Sequence, residues 1–155
     1  METAKQISVF LENKPGRMAN VLSALAQEKV NLVALTIMDS HEHSVLRLVS
    51  DDVGKTRRVI KDANIPYTET DVVLIELRNQ PGALAHVCEQ LAGDHVNIEY
   101  AYCSSGGRNG KTLGIFKVSN TDKALRILSG STNNAPRRRM GRRPIHTRNA
   151  NAASV

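Results

Sequence analysis

The feature that most constrains this chain is an internal repeat with a period of 66 residues. Residues 7–35 align without a gap on residues 73–101, and ten of the 29 positions are identical, against about two expected by chance. The identities include an Asn-x-Pro-Gly turn at residues 13–16 that recurs at residues 79–82. The chain is therefore predicted to contain two copies of one small unit.

Within the first copy, hydrophobic periodicity predicts the order strand, helix, strand, strand, helix, strand. The segment from Arg17 to about Lys29 carries one apolar stripe at helical spacing. The second copy repeats the order, with a helix over residues 83–93 and a last helix whose predicted N-cap is Thr121. This order predicts an α+β fold of two ferredoxin-like βαββαβ sandwiches, each an antiparallel sheet with both helices on one face.

The second copy departs from the first at its end. The fourth strand of the first copy, residues 65–72, aligns with STNNAPRR, which has no apolar alternation. The last strand of the second unit is therefore predicted to be missing, which would leave an open sheet edge or require another chain to fill it. We expect a first unit over residues 5–71, a second over residues 72–128 and a basic, disordered tail over residues 129–155. Divergence and a shifted reading frame near residue 130 both account for such a tail.

Charge and cysteine usage limit the classes of function. Residues 1–128 carry 15 basic and 15 acidic residues, so the net charge of +6 comes wholly from six arginines in the tail. Such a tail can bind nucleic acid weakly through phosphates, but it has no aromatic residues for base stacking, and a solvated tail is the simpler interpretation. Two cysteines make no disulfide framework, and no signal peptide or membrane-spanning apolar run is evident. We expect a cytoplasmic protein without membrane contact.

The sequence gives little support for a phosphate loop, a metal site or a catalytic motif. The sequence GGRNGKT resembles a phosphate loop, but Ser105 stands where the first glycine is required, so a hairpin turn at residues 109–110 is favoured. The histidines lack metal-ligand spacing, and Cys88 aligns with Leu22 as a packing residue. There is no nucleophile with an evident base, no pair of carboxylates in an apolar setting and no cofactor motif. We expect no enzymatic activity, no metal and no cofactor.

The repeated turn is the strongest candidate for a binding site. Gly16 lets the backbone enter the helix without a side chain in the way, Pro15 presets φ, and the first helical turn leaves N–H groups that suit a carboxylate. Asn13 adds an amide that both donates and accepts, as an amino-acid ligand requires. Asn31 opens the second strand, and a compact unit can bring it next to the turn. The alternative is that Asn13 and Asn31 are only turn and cap residues.

These residues carry a family resemblance. FLENKPGRMANVLSALAQEKVNLVAL and ELRNQPGALAHVCEQLAGDHVNIEYA resemble the opening half of the ACT domain, a small regulatory module that binds amino acids. The resemblance covers residues 5 to about 128, and the chain is similar to small free-standing proteins of two ACT units and to the paired regulatory region of aspartokinases. It implies a βαββαβ fold and units paired side by side.

The resemblance also implies where a ligand binds. In the family, amino acids lie at the interface between units, held by the first loop, the start of the first helix and the start of the second strand. The corresponding residues here are Asn13, Gly16, Asn31, Asn79, Gly82 and Asn97. Some members have a histidine two residues before the loop asparagine. Because Leu11 and Leu77 occupy that place here, the identity of the ligand does not carry over.

One functional hypothesis and one alternative follow. The hypothesis is an amino-acid sensor, expected as a homodimer, in which binding at the interface of the units is coupled to a partner enzyme of amino-acid biosynthesis. The alternative is a scaffold or regulatory subunit that binds no ligand and acts through protein contacts, similar to the small subunit of acetolactate synthase.

Overall fold

A computed structural model describes residues 1–38, 43–107 and 111–130 of the chain. These residues form strands and helices in the predicted alternation, which confirms the α+β class. In chain order the elements are β1 (Glu2–Glu12), α1 (Arg17–Gln27), β2 (Leu32–Met38), β3 (His43–Ser50), α2 (Val53–Asp62), β4 (Tyr67–Arg78), α3 (Ala83–Gly93), β5 (Ile98–Gly107), β6 (Lys111–Val118) and α4 (Thr121–Gly130).

The described strands form a single antiparallel sheet in the order β2-β3-β1-β4-β6-β5. The long strand β4 serves both units, because its first half is the fourth strand of the first unit and its second half is the first strand of the second. The expected domain boundary between residues 71 and 72 lies inside this strand. The two ferredoxin-like units are therefore joined through β1 and β4 into one continuous sheet.

The repeat is visible in the three-dimensional structure. The sequence of buried and exposed side chains along β1 recurs unchanged over residues 68–78. Lys29 and His95, which are 66 positions apart, both have a φ of 57°. Lys5 lies directly opposite Asp71, its own counterpart, in the β1–β4 pairing. The pseudo-twofold axis that relates the two units therefore passes between these two residues.

The β1–β4 pairing also changes what was expected at the place of the missing strand. Residues 2–4 of β1 pair with residues 72–74 of β4, which is where a fourth strand of the second unit would lie. The N-terminal part of β1 therefore fills much of the edge that the sequence predicted to be open. Residues 129 and 130, expected in the tail, form the end of α4. The aligned segment at residues 131–138, the rest of the tail to residue 155, residues 39–42 and the expected hairpin turn at residues 109–110 lie outside the described residues.

Two predicted helix ends need correction. Helix α1 ends at Gln27, earlier than predicted, because Lys29 adopts a left-handed conformation and the N–H of Val30 donates to the carbonyl of Leu25 at 3.0 Å. The predicted N-cap of α4, Thr121, is wrong. The cap is Asn120, whose Oδ1 accepts a hydrogen bond from the N–H of Lys123 at 2.9 Å.

Each unit packs its two helices on the same face of the sheet over an aliphatic core. The first core contains Ile7, Val9, Leu11, Val21, Leu25, Leu46, Leu48, Val59 and Ile60, all buried. The second contains Val73, Ile75, Leu77, Val87, Leu91, Phe116, Val118, Ala124 and Leu128. The core residues of β1 and α1 in the first unit align with those of β4 and α3 in the second, so this part of the two interiors is equivalent.

The helix-free face of the sheet is also buried in part. A third cluster there takes Ala34 and Val49 from the first unit and Val72, Leu74 and Ile115 from β4 and the second unit. The edge strands β2 and β5 approach each other, so the sheet curls until this face packs against itself. This packing forms a second contact between the units.

A polar network crosses the same helix-free face. Gln6 is completely buried, and its Nε2 donates to the hydroxyl of Tyr100 at 2.7 Å, while its Oε1 accepts from the hydroxyl of Tyr102 at 3.0 Å. The guanidinium of Arg47 lies 4.0 Å from the centre of the Tyr100 ring. Burial raises the pKa of the Tyr102 hydroxyl, which stays protonated and able to donate. The network ties β1 and β3 of the first unit to β5 of the second.

Candidate functional site

The two Asn-x-Pro-Gly turns have the same backbone. Gly16 has φ 84° and ψ −17°, and Gly82 has φ 86° and ψ −10°. The N–H of Asn20 donates to the carbonyl of Gly16 at 2.9 Å, and the N–H of His86 donates to that of Gly82 at 3.0 Å. A Cβ added to either glycine would have no atom within 4 Å. The expected reason for glycine, a side chain in the way, is therefore wrong, and positive φ is the requirement.

Neither turn supplies a side-chain cap to the helix that follows it. Gly16 is the N-cap of α1 and Gly82 is the N-cap of α3, so neither N-cap residue caps its helix with a side chain. The first amide of each helix donates to a turn carbonyl at 3.3 Å, from Arg17 to Lys14 and from Ala83 to Gln80. The other first-turn amides lack intrahelical acceptors, and the helix dipole adds positive potential beside them. Both turns can accept a carboxylate in chemical terms.

Asn31 does not lie near the turn of its own unit. Its N–H donates to Oδ1 of Asp51 at 3.0 Å, and its carbonyl accepts from the N–H of Asp51 at 3.1 Å. Strand β2 runs in the same direction as β1, so Asn31, opposite Asp51, lies level with the N-terminal part of β1, at about Ala4. Asn13 follows the far end of β1, about 30 Å away along the strand direction at roughly 3.3 Å per residue.

The second unit repeats this arrangement. The N–H of Asn97 donates to Oγ of Ser119 at 3.1 Å, and its carbonyl accepts from the N–H of Ser119 at 2.9 Å. Asn97 is likewise remote from Asn79. In each unit the backbone of the strand asparagine therefore hydrogen-bonds the start of one strand to the end of its neighbour, β2 to β3 and β5 to β6. The expectation that a compact unit brings them next to the turn is wrong, and only the asparagine and glycine of each turn stay together.

A cavity of about 280 Å³ lies beside the first turn, between the end of β1, helix α1 and the connection from α2 to β4. Its interior is apolar and includes Leu11, Val21, Ala24, Val59, Ile60 and Ile65. Its polar lining residues are Glu12, Arg17, Asn20 and Asn64. Asn13, Gly16 and Asn31 do not line it. Sequence reasoning missed this cavity.

The polar groups of the cavity include an ion pair. The Nη2 of Arg17 lies 2.8 Å from Oε2 of Glu12, and Nζ of Lys14 lies 3.0 Å from the same oxygen. Hydrogen bonds from Lys14 and Arg17 hold the pKa of the Glu12 carboxyl below its usual range, so the carboxylate stays charged at neutral pH. All three side chains are about half exposed, so the pairs contribute little to stability.

The second turn lacks this arrangement. The alignment places Arg78 where the first unit has Glu12, and Ala83 where it has Arg17. Gln90 stands in place of Ala24, which lines the cavity in the first unit. The signal for the cavity was therefore present in the alignment, as an oppositely charged pair, Glu12 and Arg17, found in only one copy of the repeated turn.

In the part of the chain that the structure describes, no group of three or more His, Cys, Asp or Glu side chains is placed to hold a metal ion. None of the described helices is long and apolar enough to cross a membrane.

Comparison with known proteins identifies the family. Residues 2–133 match the family described as the ACT domain pair. Protein BT0572 from Bacteroides thetaiotaomicron is 38% identical over 84% of this chain and 89% of that chain, with a TM-score of 0.78. No curated protein matches the sequence.

Two solved regulatory subunits of aspartate kinase share the fold. The ligand-free form from Thermus thermophilus is 15% identical over 84% of this chain and 97% of that chain, with a TM-score of 0.62. The subunit from Thermus flavus is 15% identical over 85% of this chain and 94% of that chain, with a TM-score of 0.57. The ACT domain pair is a regulatory module and not a catalytic one. The matched family and the shared fold confirm the resemblance predicted from the repeated turn, and this chain belongs to the family of ACT domain pairs.

Proposed function

We propose that this protein is an amino-acid sensor, in which binding at the Asn-x-Pro-Gly turns is coupled to a partner enzyme of amino-acid metabolism. The observation that supports it most is the duplicated turn. Two helices begin with the same positive-φ glycine, and neither has a side-chain cap. The first-turn amides without helical acceptors suit the α-carboxylate of an amino acid, and the adjacent Asn13 and Asn79 amides each carry both a donor and an acceptor.

The positions of the strand asparagines indicate how such a ligand would be coupled to assembly. Because Asn13 and Asn31 lie at distant levels of the same sheet, a ligand that touches both residue types does not bind within one unit, and an interface between two chains can bring the two types together. The expected homodimer would supply such an interface. Ligand binding would then favour the dimer over separated chains by its differential affinity for the two states.

The partner class is proposed from proteins that share this fold. Two structures with the same fold are described as regulatory subunits of aspartate kinase, and the described residues here comprise regulatory units alone. An enzyme of aspartate-family or branched-chain amino-acid synthesis in the cytoplasm is the partner class that fits.

The test is thermal unfolding of the purified chain against each of the twenty amino acids at millimolar concentration. A ligand present at 100 times its dissociation constant stabilises by about 2.7 kcal/mol, which moves the midpoint visibly. We expect a shift with one or a few amino acids. The double variant Asn13→Ala with Asn79→Ala should lose that shift and keep its fold and its oligomeric state.

The opposite result favours the alternative function. If the folded chain shows no shift with any amino acid, the ACT pair acts as a scaffold or regulatory subunit through protein contacts alone. Such a subunit should still associate with its partner enzyme in the absence of any ligand.

A further inference from the structure

We propose that the cavity of the first unit is the amino-acid site and that it selects a ligand with a branched aliphatic side chain, one per chain. This inference rests on the proposed function for the ligand being an amino acid, and it moves the site from the two turns to the cavity beside the first turn, which Asn13 and Gly16 do not line. It is specific in two respects. It names the ligand class, and it assigns binding to the first unit alone.

The interior of the cavity favours an apolar side chain. Leu11, Val21 and Ile60 line it and are almost completely buried. The cavity volume of about 280 Å³ lies at the lower end of the range for small-molecule pockets, which suits a ligand as small as leucine or isoleucine. A polar or charged side chain placed against the apolar wall would lose its hydration. The side chains of that wall offer it no hydrogen bonds, which opposes its binding.

The polar groups match the two charges that every amino acid carries. Glu12 can accept the α-amino group, and the planar guanidinium of Arg17 suits a carboxylate. The amides of Asn20 and Asn64 make no side-chain hydrogen bond within the described part of the chain, so both can add a contact. The ligand exchanges one exposed Glu12–Arg17 pair, which is weak, for two charge-assisted contacts.

The second unit cannot build the same site from its aligned residues. With Arg78 in place of Glu12 it has no acceptor for an α-amino group, and with Ala83 in place of Arg17 it has lost the guanidinium. The longer Gln90 replaces Ala24 on the wall of the pocket. The turn of the second unit therefore has the same backbone conformation as the first but lacks the side chains that would bind an amino acid.

The first experiment is calorimetric titration of the full chain with L-leucine, L-isoleucine and L-valine. We expect binding of at least one of them at one molecule per chain. L-Leucinamide lacks the carboxylate and 4-methylpentanoate lacks the amine, so each should bind at least roughly tenfold more weakly than leucine. Equal binding of either analogue, two sites per chain or a preference for a polar amino acid would overturn the inference.

Variants locate the site, each with a matched control. Ala24→Leu places a larger side chain in the cavity and should abolish binding, while Gln90→Leu at the aligned position of α3 should leave it intact. Arg17→Ala should weaken binding roughly tenfold to a hundredfold. Arg78→Ala removes a guanidinium from the second turn and touches neither the cavity nor Glu12, so its affinity should stay within a factor of about two.

The outcomes separate this inference from the proposed function. If an amino acid binds the wild-type chain and binds Ala24→Leu and Arg17→Ala equally well, the cavity is not the site and the sensor proposal stands. If no amino acid binds the wild-type chain, both proposals fail. Arg17 lies on the surface, so its variant gives a result even if Ala24→Leu does not fold.

Discussion

The two Asn-x-Pro-Gly turns have the same backbone and different charges. Gly16 and Gly82 agree within a few degrees in φ and ψ, whereas the Glu12–Arg17 ion pair of the first turn has no counterpart in the second. Backbone geometry is fixed by the local sequence that the two copies share. Side chains that face solvent or the other unit are free to change, so function can become specific to one copy.

The same contrast holds where the two units meet. Gln6 and Val72 occupy aligned positions, and both are fully buried, yet one is polar and the other is apolar. A dimer of two identical units would place the same residue at both positions. Joining the units in one chain allows each contact residue to suit its own surroundings.

The largest expected effects test whether the two cores are equivalent. Leu25 and Leu91 are aligned and almost completely buried, so Leu25→Ala and Leu91→Ala should each lower the free energy of unfolding by about 2–5 kcal/mol. Because β4 belongs to both units, each variant should still unfold in one transition. Urea denaturation followed by circular dichroism and by tyrosine fluorescence measures both quantities. Two separate transitions would show that the units fold independently.

The next effect concerns the aligned pair Gln6 and Val72. Gln6→Val makes the two positions identical but leaves the hydroxyl of Tyr102 without its acceptor, at a cost of about 1–3 kcal/mol. A double-mutant cycle with Tyr102→Phe measures the coupling. We expect the double variant to regain part of the stability that Gln6→Val loses, because Tyr102→Phe removes the unpaired hydroxyl. Additive losses would mean that the network does not hold the units together.

A smaller effect tests the shared backbone of the turns. Gly16→Ala and Gly82→Ala should each cost about 1–2 kcal/mol, because an L-residue is strained at positive φ. The losses should be equal, since the Cβ meets no atom at either position. Asparagine tolerates positive φ better, so Gly16→Asn should recover part of the stability. Chemical denaturation of the four proteins, including wild type, decides this, and unequal losses would contradict the equivalence of the turns.

The fold class and most helix bounds were predictable from the sequence because they depend on local patterns. Apolar residues at helical spacing fixed α3 at residues 83–93, and the turn chemistry at Pro15 and Gly16 located the start of α1. The N-terminal part of β1 was not predictable. Residues 2–4 are mostly polar, and they are strand because β4 offers them an unpaired edge, which is a non-local cause.

The candidate site was predictable only in part. The turn was found because it is contiguous in sequence and occurs twice. The cavity was missed because its walls come from β1, α1 and the end of α2, which only the folded chain brings together. The separation of Asn13 and Asn31 was missed because it depends on the relative direction of β1 and β2 in the sheet, and sequence spacing does not contain that direction.

The smallest effect tests the pseudo-twofold axis itself. Lys5 and Asp71 face each other there at 2.7 Å with about half of each side chain exposed. Asp71→Lys sets two like charges opposite each other, as identical units would, and should cost less than about 1 kcal/mol. The charge swap Lys5→Asp with Asp71→Lys should restore the stability, and high salt should abolish the difference. Urea denaturation at low and high salt measures it. If Asp71→Lys is as stable as wild type at low salt, the opposite charges on the axis do not stabilise the joined units. The stabilising departure from twofold symmetry in the β1–β4 pairing is then the buried Gln6 network.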